Sequence, residues 1–413
     1  MVAAVPGPLR RDAVRAPCRV MDPMLYATEL ERVDSAGRVL AAFQRRPTDK
    51  VPIHHLGFSS EVASALLGRE AYVGGGIQQW REAVAWWEGE DVHAEFVERS
   101  LQDAIDIALY CGHDIVRPTY WRYRPKPTRR IDEHAFAYED GPADTWRVLR
   151  YDRPSEQCYI HYQIPQADVT YGDLQRRLDD EEAALADYVP SEALYWAEFE
   201  ARRRLRGTYA IRVGGAPLGI GIEPIWLEAT AERPDLVERK LDLQVERGSR
   251  SICFLAEHGF RFIFGGDDFA GSDGPMYSPA VFRRFVLPRL QRLSTCCHEC
   301  GSFYSFASDG DLWPIADDLF GRSGVDAYHE IDRRAGMDLL RLRQRFPDLT
   351  LVGNISSVDV ATKPRDEVIA QTVECLEFAK NNPGVIAGVS NYIVPGTPIE
   401  NVLAVLETIR EHR

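Results

Sequence analysis

From Val51 onward the chain repeats one unit: a short apolar run, then a polar loop, then a stretch with helical spacing of apolar residues. No other feature constrains the fold as much, because strands that alternate with helices are joined in parallel through helical crossovers. Eight runs fit the strand part, at 51–58, 114–119, 209–214, 260–265, 303–307, 325–330, 349–353 and 384–389. Helical patterns fill the gaps, clearest at 278–299, 314–321, 338–346, 364–381 and 398–413. Pro279, Pro314, Pro364 and Pro398 stand where a first helical turn tolerates a missing N–H. Eight such units predict an α/β fold, a closed (β/α)8 TIM barrel rather than an open doubly wound sheet.

Two excursions break the rhythm. Helical stretches at 77–88 and 91–111 follow the first strand. After the second, 130–138 and 145–163 read as a β-hairpin or small antiparallel sheet, with alternation in Trp146, Val148 and Tyr151, then Tyr159, His161 and Gln163. Helical material at 171–187 and 191–206 leads into the third strand. Inserted material on the C-terminal face of a barrel is placed to act as a lid or as a structural cap. Residues 1–40 read as an N-terminal arm: Pro6, Gly7 and Pro8 break early structure, and 23–43 allow one amphipathic helix carrying Leu25, Leu30, Val33, Val39 and Leu40. The barrel is expected over 41–413.

Charge narrows the partners. Against 49 Lys and Arg stand 63 Asp and Glu, a net of −14, the wrong sign for nucleic acid or an anionic membrane. No apolar run reaches the roughly 18 residues of a membrane span. The first 20 residues lack the apolar core of a secretory signal and read as a disordered arm, although their Arg content also suits a transit peptide. The eight irregularly spaced Cys suit reduced thiols and a cytoplasmic location.

In a barrel the chemistry sits where the strands end. That rule selects His54 and His55 after the first strand, Arg117 and Tyr120 after the second, and Asp267 and Asp268 after the fourth. It adds Ser308 and Asp309 after the fifth, His329 and Glu330 after the sixth, Asn354 after the seventh, and Ser390, Asn391 and Tyr392 after the eighth. Crowded carboxylates split their pKa values and serve general acid–base catalysis, or hold a hard metal ion. Asp309 or Asp311 alternatively caps the helix that follows.

Other motifs carry less. The run 295–301, Thr-Cys-Cys-His-Glu-Cys-Gly, reads as structural: His298 and Cys300 are two residues apart and do not share a helical face. It also precedes the fifth strand, on the face opposite the chemistry, and cannot assemble four zinc ligands by itself. Gly214-Gly215 and Gly74-Gly75-Gly76 lack the spacing of phosphate loops and suit tight turns or close backbone approach. Trp80, Trp86 and Trp87 suit a core or interface. A serine-hydrolase elbow is lacking.

The run Gly388-Val-Ser-Asn-Tyr-Ile-Val-Pro-Gly-Thr-Pro-Ile-Glu-Asn-Val402 resembles the closing motif of the uroporphyrinogen decarboxylase superfamily. Phe306-Ala-Ser-Asp-Gly-Asp311, Gly274-Pro-Met-Tyr-Ser-Pro279, Ala335-Gly-Met-Asp338 and the Arg46-Pro47 and Val51-Pro52 pairs are similar to its other signatures, so the resemblance spans about residues 40–413. It implies the barrel, often as a homodimer. It also implies one of two chemistries: cofactor-free decarboxylation of porphyrinogens, or methyl transfer between a small molecule and a corrinoid protein, usually with a zinc-activated thiol.

The chain departs from both patterns. The decarboxylase signature Met-Arg-Gln-Ala-Gly-Arg is replaced by Val51-Pro-Ile-His-His-Leu-Gly-Phe58, without an Arg, and its His by Asn391. The zinc pattern, His-x-Cys with a later Cys, is replaced by Ala307-x-Asp309 and Asn391. Zinc therefore stays open, since its family ligands are absent. What remains is rich in oxygen donors and resembles substrate-side methyltransferases that pass a methyl group from a methoxy or N-methyl compound to a corrinoid carried by a partner protein. On this reading Asp309, Glu330 and Asp268 are catalytic, Asp309 and Glu330 being the metal ligands if a metal binds. His54, His55, Arg117, Tyr120, Ser308, Asn391 and Tyr392 contact substrate. The alternatives are a decarboxylase of a tetrapyrrole-like acid and a non-catalytic binding barrel.

Overall fold

The structure, a computed structural model, describes residues 34–139, 146–164 and 169–413. Residues 6–8, the part of the expected arm helix before residue 34, and residue 145 of the expected hairpin lie outside the described residues.

All eight expected strand positions carry strand or bridge pairing. The first segment holds an isolated bridge from Ile53 to Ala387 and then β1 (Gly57–Phe58). β2 (Ile115–Val116) begins the second segment, and the inserted strands β3 (Arg129–Arg130), β4 (Ala135–Tyr138), β5 (Trp146–Asp152) and β6 (Gln157–Ile164) follow. The third segment is divided into β7 (Ala210–Ile211) and β8 (Val213–Pro217). Then come β9 (Phe262–Gly266), β10 (Phe303–Ala307), β11 (Ala327–His329), β12 (Thr350–Val352), β13 (Val385–Ile386) and β14 (Tyr392–Ile393).

Six of these form one parallel sheet in the order β13-β12-β11-β10-β9-β8. β2 pairs in parallel with β7, and β1 with β14. The first segment meets the second through a backbone hydrogen bond from the Asp114 N–H to the Ile53 carbonyl at 2.8 Å and through side-chain bonds, among them the Ile53 N–H to Asp114 Oδ2 at 2.8 Å. No continuous ladder closing the strands into one ring is detected among the described residues. The third strand, expected as one run, is interrupted at Arg212, where pairing passes from β2 to β9, and inside β8 the register shifts between Gly214 and Ala216, with Gly215 at a positive φ of 154°.

Side chains alternate across each strand, so residues two apart share a face. Ile115, Ala210, Phe262, Phe264, Ala327, Val352 and Ile386 form one buried cluster, together with Val39, Ala42 and Phe43 of helix α1 (Ser35–Phe43). The boundary expected at residue 40 thus falls inside a helix that belongs to the core. Asp34 caps it by accepting from the Gly37 N–H at 2.8 Å. Buried Arg38 ties α1 to Asp49 and Asp114, and Arg413 at the opposite end of the chain also bonds Asp114.

α2 (Ser60–Leu67) follows β1, and the expected helices of the first excursion are α3 (Gly76–Glu88) and α4 (Glu90–Tyr110). Those preceding the third strand are α5 (Tyr171–Ala186) and α6 (Trp196–Arg204). α7 (Pro224–Glu232) and α8 (Pro234–Glu257) cross to β9, and α9 (Leu287–Glu299) to β10. Later crossovers are α10 (Leu339–Arg345), α11 (Ser357–Thr362) and α12 (Arg365–Asn381), and α13 (Ile399–His412) ends the chain. Pro364 and Pro398 serve as N-caps, one position before the expected first turn. The helix expected at 314–321 is a 3-10 turn at Trp313–Ile315 and a π-turn at Asp317–Arg322, with Pro314 unable to donate a backbone hydrogen bond. No described helix is long and apolar enough to cross a membrane.

The second excursion is a four-stranded antiparallel sheet, β3-β4-β5-β6. It has apolar clusters of its own, Ala83, Phe136 and Tyr138 on one side and Ala135, Ala137 and Val148 on the other. The tryptophans of α3 help hold it: Trp80 stacks on Tyr151 with centroids 5.0 Å apart, and its indole N–H donates to the Glu133 carbonyl. Gly76 explains part of the glycine triplet, since a Cβ there would meet the Cys158 amide nitrogen at 2.1 Å. At the rim, buried Glu156 accepts from the Ser60 N–H at 3.2 Å.

Candidate active site at the strand ends

The parallel strands deliver their C-terminal ends to one place. Asp268 follows β9, Asp309 follows β10 and Glu330 follows β11, and one carboxylate oxygen from each lies within 4.8 Å of the others. The three expected catalytic carboxylates therefore converge. Asp309 carries this contact network: its N–H donates to Asp268 Oδ1 at 3.4 Å, and Asn391 Nδ2 donates to its Oδ2. Asn391 in turn accepts from the Tyr392 N–H at 2.5 Å. Glu330 sits in the left-handed region with φ 69°, unusual for a non-glycine residue and a kind of strain that clusters at functional sites.

Burial and neighbouring charge raise Glu330 and Asp309. Burial pushes Glu330 up to about 8, assisted by the charge of Asp309 and opposed by Arg212 and Arg117. Asp309 rises to about 6, first through burial and then through Asp268 and Asp332, while the Asn391 hydrogen bond pulls the other way. Asp267 also rises to about 6 through burial; it packs against Gly219, and its Oδ2 is buried without a hydrogen-bond partner. A cavity of about 170 Å³ opens beside this group, with Asp309, Asp332, Arg333, Ser390 and Asn391 among its walls.

The remaining expected residues have varied placements. Arg117 is braced by its Nε donating to the Thr119 carbonyl and its Nη1 to the Leu56 carbonyl, and it lies over the Trp121 ring at 4.2 Å. Tyr120 is buried beside it, and burial drives its hydroxyl pKa upward. The Tyr392 hydroxyl accepts from the Gly75 N–H at 2.9 Å, joining the eighth strand to α3. Ser308 is fully buried and donates to the Asp309 carbonyl, so it supports the loop rather than facing an open pocket. His54 and His55 are 0% and 1% exposed and belong to the interior beneath the mouth. His55 Nδ1 accepts from the Val389 N–H at 2.9 Å, and burial lowers this imidazole to about 4. Asp311, the alternative cap, accepts from the Trp313 N–H at 2.9 Å.

Two residues outside the expected set, Arg212 and His113, and the strand-end His329 complete the interior. Arg212, His113 and His329 join His54 and His55 there, with the His54 and His329 rings 5.4 Å apart. Both His329 nitrogens, His54 Nε2 and Arg212 Nη1 are buried without a hydrogen-bond partner. Burial lowers Arg212 to about 9, with Arg117 adding to the effect. The signal was present in the strand period: Arg117, Arg212 and His329 each stand two residues beyond an inward Ile115, Ala210 or Ala327.

Two groups of side chains among the described residues have ligand atoms close enough for a metal ion. One is the carboxylate triad. The other is Cys253, Cys296 and Cys300, away from the mouth. Oxygen donors suit a hard cation, and the soft donors of the zinc pattern are absent from the mouth.

Comparison with known proteins agrees with this layout. The family model Uroporphyrinogen decarboxylase (URO-D) matches residues 224–412. The "Methylcobamide:CoM methyltransferase MtaA" of Methanosarcina barkeri is 29% identical over 195 residues, 45% of this chain and 52% of that protein. A "Uroporphyrinogen decarboxylase" of Anaeromyxobacter sp. (strain Fw109-5) is 28% identical over 133 residues, 32% of this chain and 36% of that protein. The matched part thus spans about half the length of the first relative and less of the second. Among solved structures, a methyltransferase from Methanosarcina mazei superposes with a TM-score of 0.56 at 21% identity, covering 92% of this chain and 98% of its own, a likeness of fold.

Proposed function

We propose that this chain, which residues 224–412 place in the superfamily of uroporphyrinogen decarboxylase and corrinoid methyltransferases, moves a methyl group from a small methoxy or N-methyl compound to a corrinoid carried by a partner protein. The observation that carries the reading is the carboxylate triad, in which Glu330 is held at about 8 beside Asp309 and exposed Asp268. A methyl group leaving oxygen or nitrogen passes to the corrinoid nucleophile, and the electron pair of the broken bond stays on the heteroatom. That atom then needs a proton. Glu330, protonated at neutral pH, supplies it, and exposed Asp268 and intermediate Asp309 return one from solvent. Asn391 fixes Asp309, and Arg117 with Tyr120 and Tyr392 orients the substrate. A divalent cation would fit the oxygen donors of Asp268, Asp309 and Glu330, and the proton transfer itself needs only the carboxyl groups.

The same reading completes the (β/α)8 barrel over 41–413, with 1–40 as an arm that ends inside α1, the helix packed against the lower strand ends. The bridge from Ile53 to Ala387 and the Asp114 to Ile53 hydrogen bond support closure. The inserted sheet serves as the lid, supported by its Glu156 contact at the rim.

A second reading, decarboxylation of a carboxylated tetrapyrrole-like substrate, is favoured by one observation. Arg117 and Arg212 bring two guanidinium groups near the carboxyl groups, the counter-charge that the first strand segment lacks. Incubating the chain with a panel of methoxy and N-methyl compounds and reduced corrinoid protein, while following methylated corrinoid and carbon dioxide separately, distinguishes the two. Corrinoid methylation that depends on Glu330 supports the first reading; carbon dioxide release without corrinoid replaces it with the second.

A further inference from the structure

At the opposite ends of the strands lies a group of thiols that the proposed reaction does not use. Cys253 belongs to the last turns of α8, while Cys296 and Cys300 lie one turn apart at the end of α9 and share a face. Cys253 Sγ is 3.3 Å from Cys300 Sγ and 3.9 Å from Cys296 Sγ, and all three sulfurs fall within 4.8 Å of one another. The two helices are clamped together. Arg289 and Arg292 of α9 both bond Asp242 of α8, and Gly248 leaves room for Leu293, which a Cβ would meet at 3.0 Å.

Cys300 stands at the C-cap of α9 and Cys253 in the last turns of α8, so the sulfurs lie near both helix C-termini. The partial negative charges of two helix C-termini favour a cation there. The three thiols are partly exposed, which leaves a path for entry, whereas neighbouring Cys297 is fully buried. Three thiolates match the softness and low coordination number of closed-shell, thiophilic ions and poorly match a hard ion such as magnesium.

We propose that Cys253, Cys296 and Cys300 form a binding site for a soft, closed-shell cation of the copper(I) or zinc(II) class, independent of the strand-end carboxylates. Binding displaces the thiol protons to solvent and cross-links the ends of α8 and α9. The test uses the full chain, reduced and kept anaerobic, titrated with cadmium(II) as the probe, with the sulfur-to-metal charge-transfer absorbance as readout. One equivalent per chain should saturate the band, and Cys253→Ser and Cys300→Ser should each abolish stoichiometric binding while circular dichroism shows a folded protein. Asp309→Asn should leave the band intact. A band that survives both cysteine variants, or is lost in Asp309→Asn, overturns the assignment. So does the absence of a band in a chain that instead forms a Cys253–Cys300 disulfide in air.

Discussion

At the lower end of the strands the inward side chains are Ile115, Ala210, Phe262, Ala327 and Val352, and Phe43 of α1 packs beneath them, its ring 4.9 Å from that of Phe262. Two residues further along three of these strands the same face carries Arg117, Arg212 and His329, followed by Asp268, Asp309 and Glu330 at the strand ends. The strands thus change character within about 7 Å, the rise of two residues. Apolar filling at one end lets the other end hold buried charge: the lower layer supplies hydrophobic burial, and the upper layer bears the cost of desolvated ionisable groups.

Four measurements press on this contrast. Replacing Glu330 with Gln removes the proton donor without opening a cavity, and turnover should fall by about 100-fold or more in the methyl-transfer assay. An equal loss in Asp309→Asn would show that the two act as a unit, whereas near-normal turnover would remove either residue from the chemistry. At the lower end, Phe43→Ala should cost roughly 3–5 kcal/mol in denaturant unfolding, with turnover per folded molecule little changed. A small loss of stability would mean that α1 is only laid against the strands.

The third measurement is pH dependence. Folding raises Glu330 from 4.5 to about 8, so the folded chain holds this proton more tightly than the unfolded chain does. Its contribution is fully present below the ordinary carboxylate value and is lost as pH rises through about 8. The unfolding free energy should therefore decline across that window in the native chain, and Glu330→Gln should flatten the decline. Turnover should fall along the basic limb near the same pH. The smallest effect is expected from Asp34→Ala, which removes the cap of α1 and should cost about 1 kcal/mol by thermal unfolding.

The sequence revealed the strand order better than the interior it encloses. Period and punctuation located the eight strand segments, because an apolar run between turn residues is a local signal. Asp268, Asp309 and Glu330 were legible for the same reason, each lying just after such a run. Arg212 was hidden inside a run that otherwise looks apolar, and only the two-residue alternation marks it as inward. The thiol group was harder still. Cys296 and Cys300 are a visible helical pair, but Cys253 lies on another helix, and only the packing of α8 on α9 brings it to them. His54 and His55 show the converse: they sit at a strand end in the sequence, yet the neighbouring strands bury them completely.

The inserted antiparallel sheet brings its own apolar clusters and meets the rim through short contacts such as Gly76 against Cys158 and Glu156 against Ser60. A unit that is internally packed and lightly moored can change its surface without disturbing the acids below. If the proposed lid role holds, relatives that keep the strand-end carboxylates but alter this attachment would accept different molecules, and exchanging the sheet between them would change which molecules reach the acids.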